Sequence, residues 1–462
     1  MTTTEAVRGQ ALLSSPSSSL LHPIVHHPPP KAVSAEGSYI ILEDGRRILE
    51  ASGGPAVACI GHGNREVTEA VVQQMNQISY CFALHYSNPN AEELARLVIE
   101  STNGALARAT IMSSGSEAIE AAMKLAVKFF VEKGLPNKTG FIARRGAFHG
   151  TTLGSLALTG KQSFRKPFDP LLKDDMISFV SMPNIYRDMR DCETTEDYVN
   201  RLTDELDTEF QRRGADHICA LVAETVSGSA SGCHTAPVGY FPAIKSVCDK
   251  HQALLILDEV FCGMGRSGSY HAWQQESVVP DIQTIAKGVA GGYAPISMLL
   301  VHQRVVDAID AGSGLWNHGH TFSSHPVACA AGVAVQRIIK RDRLIDEAAR
   351  NGRILGELLH ASLDRHPHVG DIRGRGMMWA VEFVRDKNSK LPFPPEDVIA
   401  SKIQLTGLTA PWSIFLYPGS GTADGICGDH ITIAPAYNVS TEQVHLIVRK
   451  LVGIVEEVLG PS

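Results

Sequence analysis

Seven short apolar segments, separated by stretches with helical spacing, set the main limit on the fold. They are residues 109–112, 140–144, 176–180, 218–223, 254–257, 282–285 and 296–301. Residues 116–131 and 240–251 are two of the helical stretches between them. Strand alternating with helix implies an α/β fold whose mainly parallel sheet is covered on both faces. Ligands of such sheets sit beyond the carboxyl ends of the strands. Asp258, Glu224 and Ser114-Gly115-Ser116 all fall at such ends, which puts them on one edge.

The segment Ala253-Leu254-Leu255-Ile256-Leu257 ends abruptly in Asp258-Glu259-Val260. The later segment 280–286 ends in Lys287, followed by Gly288 and then Gly291-Gly292. Singly, each has an ordinary explanation: an aspartate at a strand end caps helices or lines loops, and a lysine before glycine is usually surface. Together they supply what pyridoxal phosphate chemistry needs, an amine for a Schiff base and a carboxylate to keep the pyridinium nitrogen protonated. Ser113-Ser114-Gly115-Ser116-Glu117 follows a strand and opens a helix. Alone it reads as a helix cap. Beside Lys287 it reads as a phosphate cup carried by Gly115 and Ser116 at a helix N-terminus.

The stretch Leu255-Ile256-Leu257-Asp258-Glu259-Val260-Phe261-Cys262-Gly263-Met264-Gly265-Arg266-Ser267-Gly268 resembles the signature of class III (omega-type) aminotransferases, and the likeness runs from about Tyr39 to the C-terminus. It implies a fold-type I pyridoxal phosphate-dependent transferase with a mainly parallel seven-stranded sheet and a smaller α+β domain. It places the large domain at 76–330 and the small domain at 36–75 plus 331–462. Helical spacing over 332–363, segments at 371–384 and 429–434 and a helix over 441–459 fit that smaller domain.

The resemblance also implies roles. Lys287 would hold the cofactor as an aldimine, and Asp258 would face its ring nitrogen. Phe148, in Ala147-Phe148-His149-Gly150, would lie over one ring face and Val260 under the other, with His149 as a buttress. Glu224 would lie near the cofactor oxygen. Thr321, in Gly319-His320-Thr321-Phe322, would reach the partner's cofactor phosphate, which implies a homodimer with shared active sites. Tyr80, Phe82, Tyr86 and Trp316 would be apolar walls, although most aromatics are core. The implied activity is ping-pong amino transfer from an amine or omega-amino donor to a 2-oxo acid such as pyruvate. An aminomutase, racemase or lyase on the same scaffold is the alternative.

One departure stands out. Many class III members carry an arginine just before the Pro-Pro of the C-terminal domain. Here that neighbourhood reads Ile431-Thr432-Ile433-Ala434-Pro435, and the loop 417–430 contains no arginine. A carboxylate left unpaired in a pocket is costly. Either the donor has no carboxylate on its reacting carbon, as is expected here, or an anchor lies elsewhere, with Arg373 and Arg375 the least excluded.

Composition closes off other classes. With 42 basic and 49 acidic residues in 462, the net charge of −7 gives no electrostatic case for nucleic acid. No apolar run is long enough to span a membrane. The nine cysteines are odd in number, scattered and without a C-x-x-C pair, as expected of reduced thiols in a cytoplasmic protein without a metal site. Residues 1–35 read as a disordered Pro/Ser/His-rich leader; Glu5 and few arginines argue against a transit peptide.

Overall fold

The computed structural model describes residues 18–25, 28–172 and 174–461. Most of the expected leader, residues 1–17 with His26 and His27, lies outside the described residues. Its final residues do not follow the expectation. Ala32–Glu36 forms a strand, β1, antiparallel to β2 (Tyr39–Leu42), because alternating small residues there can join the sheet edge. β2 pairs with β3 (Arg47–Glu50).

The central sheet holds β4 (Arg108–Met112), β5 (Gly140–Arg144), β6 (Ile177–Val180), β7 (Ile218–Glu224), β8 (Leu254–Asp258), β9 (Ile282–Ile285) and β10 (Ser297–Val301). Their order is β4-β10-β9-β8-β7-β5-β6. Only β10 is antiparallel to its neighbours, so the sheet is mainly parallel as its apolar strands demand. Successive side chains of β8 serve opposite faces. Leu254 and Ile256 pack with Ile119, Ala122 and Phe129 of the helix Gly115–Glu132. Leu255 and Leu257 pack with Leu202 and Phe210 of the helix Thr195–Arg213 and with Phe241 of the helix Tyr240–Lys250. This two-residue period aims two sets of side chains at two helical layers.

A third group of strands follows: β11 (Val369–Arg375), β12 (Met378–Phe383), β13 (Ile414–Phe415), β14 (Tyr417–Gly419) and β15 (Asp429–Ile433). They make the sheet β11-β12-β15-β14, except that β13 pairs in parallel with β3 and so stitches the chain's start to its last third. The terminal helix is Thr441–Leu459, opened by a capping box between Ser440 and Gln443. The helical spacing over 332–363 is not one helix. It is split into Pro326–Arg341 and Leu344–Leu363, with Arg343 at φ 51° between them. A left-handed residue breaks the hydrogen-bond ladder without disturbing the apolar pattern on either side.

Candidate active site

The C-terminal ends of β7, β8 and β9 carry a row of polar side chains. Glu224 is the register partner of Asp258, and Asp258 is the partner of Thr284. Parallel strands place equivalent ends side by side, so the row follows directly from the register. Both carboxylates are buried.

Asp258 is held on every side that the protein supplies. Its Oδ1 accepts the Val260 N–H at 3.0 Å and the Thr284 hydroxyl at 3.3 Å. Its Oδ2 lies 2.7 Å from His149 Nδ1. A carboxylate accepts, so Nδ1 carries the hydrogen and Nε2 is left bare; Nε2 is buried with no partner among the described residues. The His149 backbone N–H is fixed by Thr159 Oγ1 at 3.0 Å.

Glu224 accepts the Gly228 N–H at 3.0 Å through Oε1, while Oε2 has no partner among the described residues. Burial pushes its pKa up. Arg144 donates to the Glu224 backbone oxygen rather than to the carboxylate. The adjacent Glu259 is a different kind of group. It accepts from Thr225 Oγ1, the N–H groups of Ala272 and Trp273, and Gln283 Nε2, at 2.7–2.9 Å. It anchors the loop after β8, and burial raises its pKa to about 7 despite those bonds.

Lys287 follows β9 directly. Its φ of 43° lies in the left-handed region, a strained setting for a lysine and one common at functional sites. Gly288 follows because a Cβ there would stand 2.9 Å from Met264 Cβ. Gln336, on the helix Pro326–Arg341, donates to the carbonyls of Gly288 and Val289 and fixes this turn. The Lys287 amine lies 4.2 Å from the centre of the Phe261 ring, and no hydrogen-bond partner for it is found among the described residues. The side chain is partly buried and keeps some accessible surface. Burial lowers its pKa to about 8, against the opposing pull of Asp258 and Glu224.

The helix Gly115–Glu132 opens beside this row. Ser114 Oγ accepts from the Glu117 N–H at 3.3 Å, and the Ser114 carbonyl takes the Ala118 N–H. Among the described residues the N–H groups of Gly115 and Ser116 have no acceptor, which leaves two donors at a positive helix end. The need for glycine at 115 has a cause that the sequence did not reveal: a Cβ would stand 2.8 Å from Val260 Cγ1. Gly115 and Val260 are thus in direct contact. Ser116 Oγ accepts the Thr151 N–H at 3.0 Å, linking the helix start to the Phe148-His149-Gly150 segment.

The sequence profile of the aminotransferase class-III family matches residues 23–455. The chain belongs to the class III aminotransferases. An aminotransferase of Gibberella zeae is 49% identical over 442 residues, covering 95% of this chain and 86% of the relative. An (S)-enantioselective omega-transaminase from Thermomicrobium roseum superposes with a TM-score of 0.87 at 32% identity, over 99% of this chain and 98% of that one. An amine transaminase from an uncultivated Pseudomonas species, solved in a PLP-bound form, does so with 0.88 at 31%, over 97% and 99%. Class III aminotransferases are PLP-dependent, and the bare N–H pair, the partly buried Lys287 amine and the Asp258 carboxylate of this chain fit that group.

The remaining expected residues have these surroundings. Phe148 packs on Phe164, with ring centroids 5.1 Å apart. Thr321 is exposed, and its carbonyl accepts the Tyr80 hydroxyl at 3.0 Å. Tyr80, Phe82 and Tyr86 are 40%, 41% and 67% exposed, so in the single chain they wall nothing. Trp316 is partly buried and stacks obliquely on His318. Thr432 is buried within β15. Phe261 is the contact that sequence reasoning missed; it sits in the quoted signature, but nothing in its spacing points at Lys287. Among the described residues no cluster suits a metal ion, and no helix is long and apolar enough to cross a membrane.

Proposed function

We propose that this aminotransferase binds pyridoxal phosphate at Lys287 and moves an amino group from an amine or omega-amino donor to a 2-oxo acid such as pyruvate. The observation that carries the proposal is the partly buried Lys287 amine, which has no hydrogen-bond partner among the described residues, beside the row Glu224, Asp258, Thr284. PLP supplies an aldehyde that takes up an amine and a protonated ring that withdraws electrons. Gly115 and Ser116 N–H groups would receive its phosphate, joined by Thr321 of a second subunit. Asp258 would hold the proton on the ring nitrogen, with His149 keeping the carboxylate in place. Val260 and Phe148 would enclose the ring, and Glu224 would stand near its oxygen.

Lys287 Nζ then has two tasks. It holds the cofactor at rest, and once displaced by the donor amine it takes the proton from the donor's amine-bearing carbon. A pKa near 8 suits a base at neutral pH, since a lysine at 10.5 would stay protonated. Residues 76–330 would carry these groups, and residues 36–75 with 331–462 the second unit, tied by the β3–β13 pairing.

A homodimer with shared sites would cover Ile78, Tyr80, Phe82, Leu84, Tyr86, Leu315 and Phe322, apolar side chains that are exposed in the single chain. In the dimer those aromatics would become pocket walls.

Borohydride reduction followed by peptide mapping tests the assignment. Label on the peptide containing Lys287 is expected; label on another lysine overturns it. Incubation with donor alone distinguishes transfer from isomerisation, because only a transaminase releases a stoichiometric carbonyl product without an acceptor.

A further inference from the structure

The turn after β7, residues 228–233, is gripped by its carbonyls. His430 donates from Nε2 to Ser229 O at 2.7 Å. Lys161 donates to Ala230 O at 2.5 Å. Arg373 donates to Ser231 O at 3.3 Å and to Gly232 O at 2.6 Å. Four consecutive carbonyls are therefore held by three side chains from three distant segments. His430 is fixed as the Nε2–H tautomer, since Thr422 Oγ1 supplies Nδ1 at 2.6 Å, and burial keeps it neutral with a pKa of about 3. Arg373 is balanced by Asp371 and Glu382, both at 2.7 Å.

Lys161 differs from the other two. It is buried, makes no ion pair among the described residues, and uses a second N–H on Ser420 O at 2.7 Å. It therefore joins the turn to the 417–430 segment, the stretch that lacks the family's arginine. The glycines allow this. A Cβ on Gly419 would collide with His430, and one on Gly232 would stand 2.8 Å from Arg373.

From the turn a short path leads to the reacting amine. Gly228 is held by Glu224 Oε1 at its N–H and packs flat on Phe261, whose ring a Cβ at 228 would meet at 3.1 Å. The same ring lies 4.2 Å from Lys287 Nζ. We propose that Lys161 is a positioning residue: by pinning the 228–233 turn to Ser420 it holds Phe261 against the Lys287 amine. The inference rests on the reading that Lys287 is the reacting amine.

The test uses the holoenzyme with Lys161→Met, Lys161→Arg, Phe261→Leu and the double variant Lys161→Met/Phe261→Leu. Borohydride labelling is run first on the wild type; label away from Lys287 overturns the functional reading itself. With that in hand, Lys161→Met should remain folded by circular dichroism and keep its cofactor on Lys287. The donor half-reaction at saturating amine should slow about tenfold, with donor KM changed less than about threefold, because a displaced reacting group costs rate rather than affinity. Lys161→Arg keeps the charge and should restore most of the rate. Phe261→Leu should show a similar loss, and the double variant should lose no more than the worse single one, as coupled contacts do. Additive losses, a wild-type rate in Lys161→Met, or a loss confined to KM would each overturn the proposal. If Lys161→Met does not fold, Lys161→Gln takes its place in the cycle with Phe261→Leu, and the same additivity criterion decides.

Discussion

His149 Nδ1 donates to Asp258 Oδ2 at 2.7 Å, inside a site where both side chains are buried. The bond restrains a carboxylate that already accepts from Val260 and Thr284 on its other oxygen. Such a group has little freedom left and presents its charge in one direction.

Asp258→Asn should therefore fold normally and lose activity. The amide keeps the shape and one accepting oxygen, but it removes the charge that favours a protonated ring nitrogen. A loss in kcat of roughly a hundredfold or more is expected, with His149→Asn milder at about tenfold. Steady-state kinetics on variants matched for melting temperature check this. Near-normal turnover in Asp258→Asn would show that the ring nitrogen is held some other way.

The Lys287 amine should titrate near 8 in cofactor-free protein. Measuring its rate of acylation against pH gives the midpoint directly; a midpoint near the ordinary 10.5 would contradict the burial argument. Stability carries the same sign. The folded value is depressed below the unfolded one, so the cost of burying this cation is full below about pH 8 and fades as pH rises toward 10.5. Lys287→Met should flatten that part of the melting-temperature profile. Lys161, also lowered to about 8 by burial, adds a slope of the same sign that the variant leaves in place.

Much of this was open to sequence reasoning, for identifiable reasons. Leu254–Asp258 declares itself because a strand buried on both faces has to be apolar and cannot hide where a carboxylate ends it. Thr441–Leu459 is equally plain, since its cap and apolar stripe are local. The break at Arg343 was invisible, because a single left-handed residue leaves helical spacing intact. Phe261 under Lys287, Gly115 against Val260 and Lys161 on Ser420 were invisible for another reason. Each joins segments distant in sequence, and the partner is set by packing rather than by local pattern.

A complementation experiment tests the proposed shared site. Thr321 is exposed in the single chain, and its carbonyl accepts from the Tyr80 hydroxyl. Mixing Lys287→Ala with Thr321→Ala subunits puts both defects in one site of the mixed dimer and leaves the other intact. Activity above that of either parent is expected. An active monomer at assay concentration would refute the shared site.

Substrate choice follows from where the arginines are spent. Transaminases that use α-amino acids gain discrimination from a bidentate arginine–carboxylate pair. Thr432 is buried in β15, and 417–430 has no arginine to offer. The two arginines of β11 in that sheet are already committed: Arg373 to Asp371 and Glu382, and Arg375 to Glu276. Arg266 is buried with its guanidinium on the carbonyls of Met377, Pro435 and Ala56. Releasing any of these would strand a buried partner, at a cost of about 3–5 kcal/mol for an ion pair. The expected donor is therefore an amine whose reacting carbon bears no carboxylate. A panel pairing amines with the corresponding α-amino acids should show higher kcat/KM for the amines. Consistently better α-amino acid donors would mean that one of these arginines turns into the pocket after all.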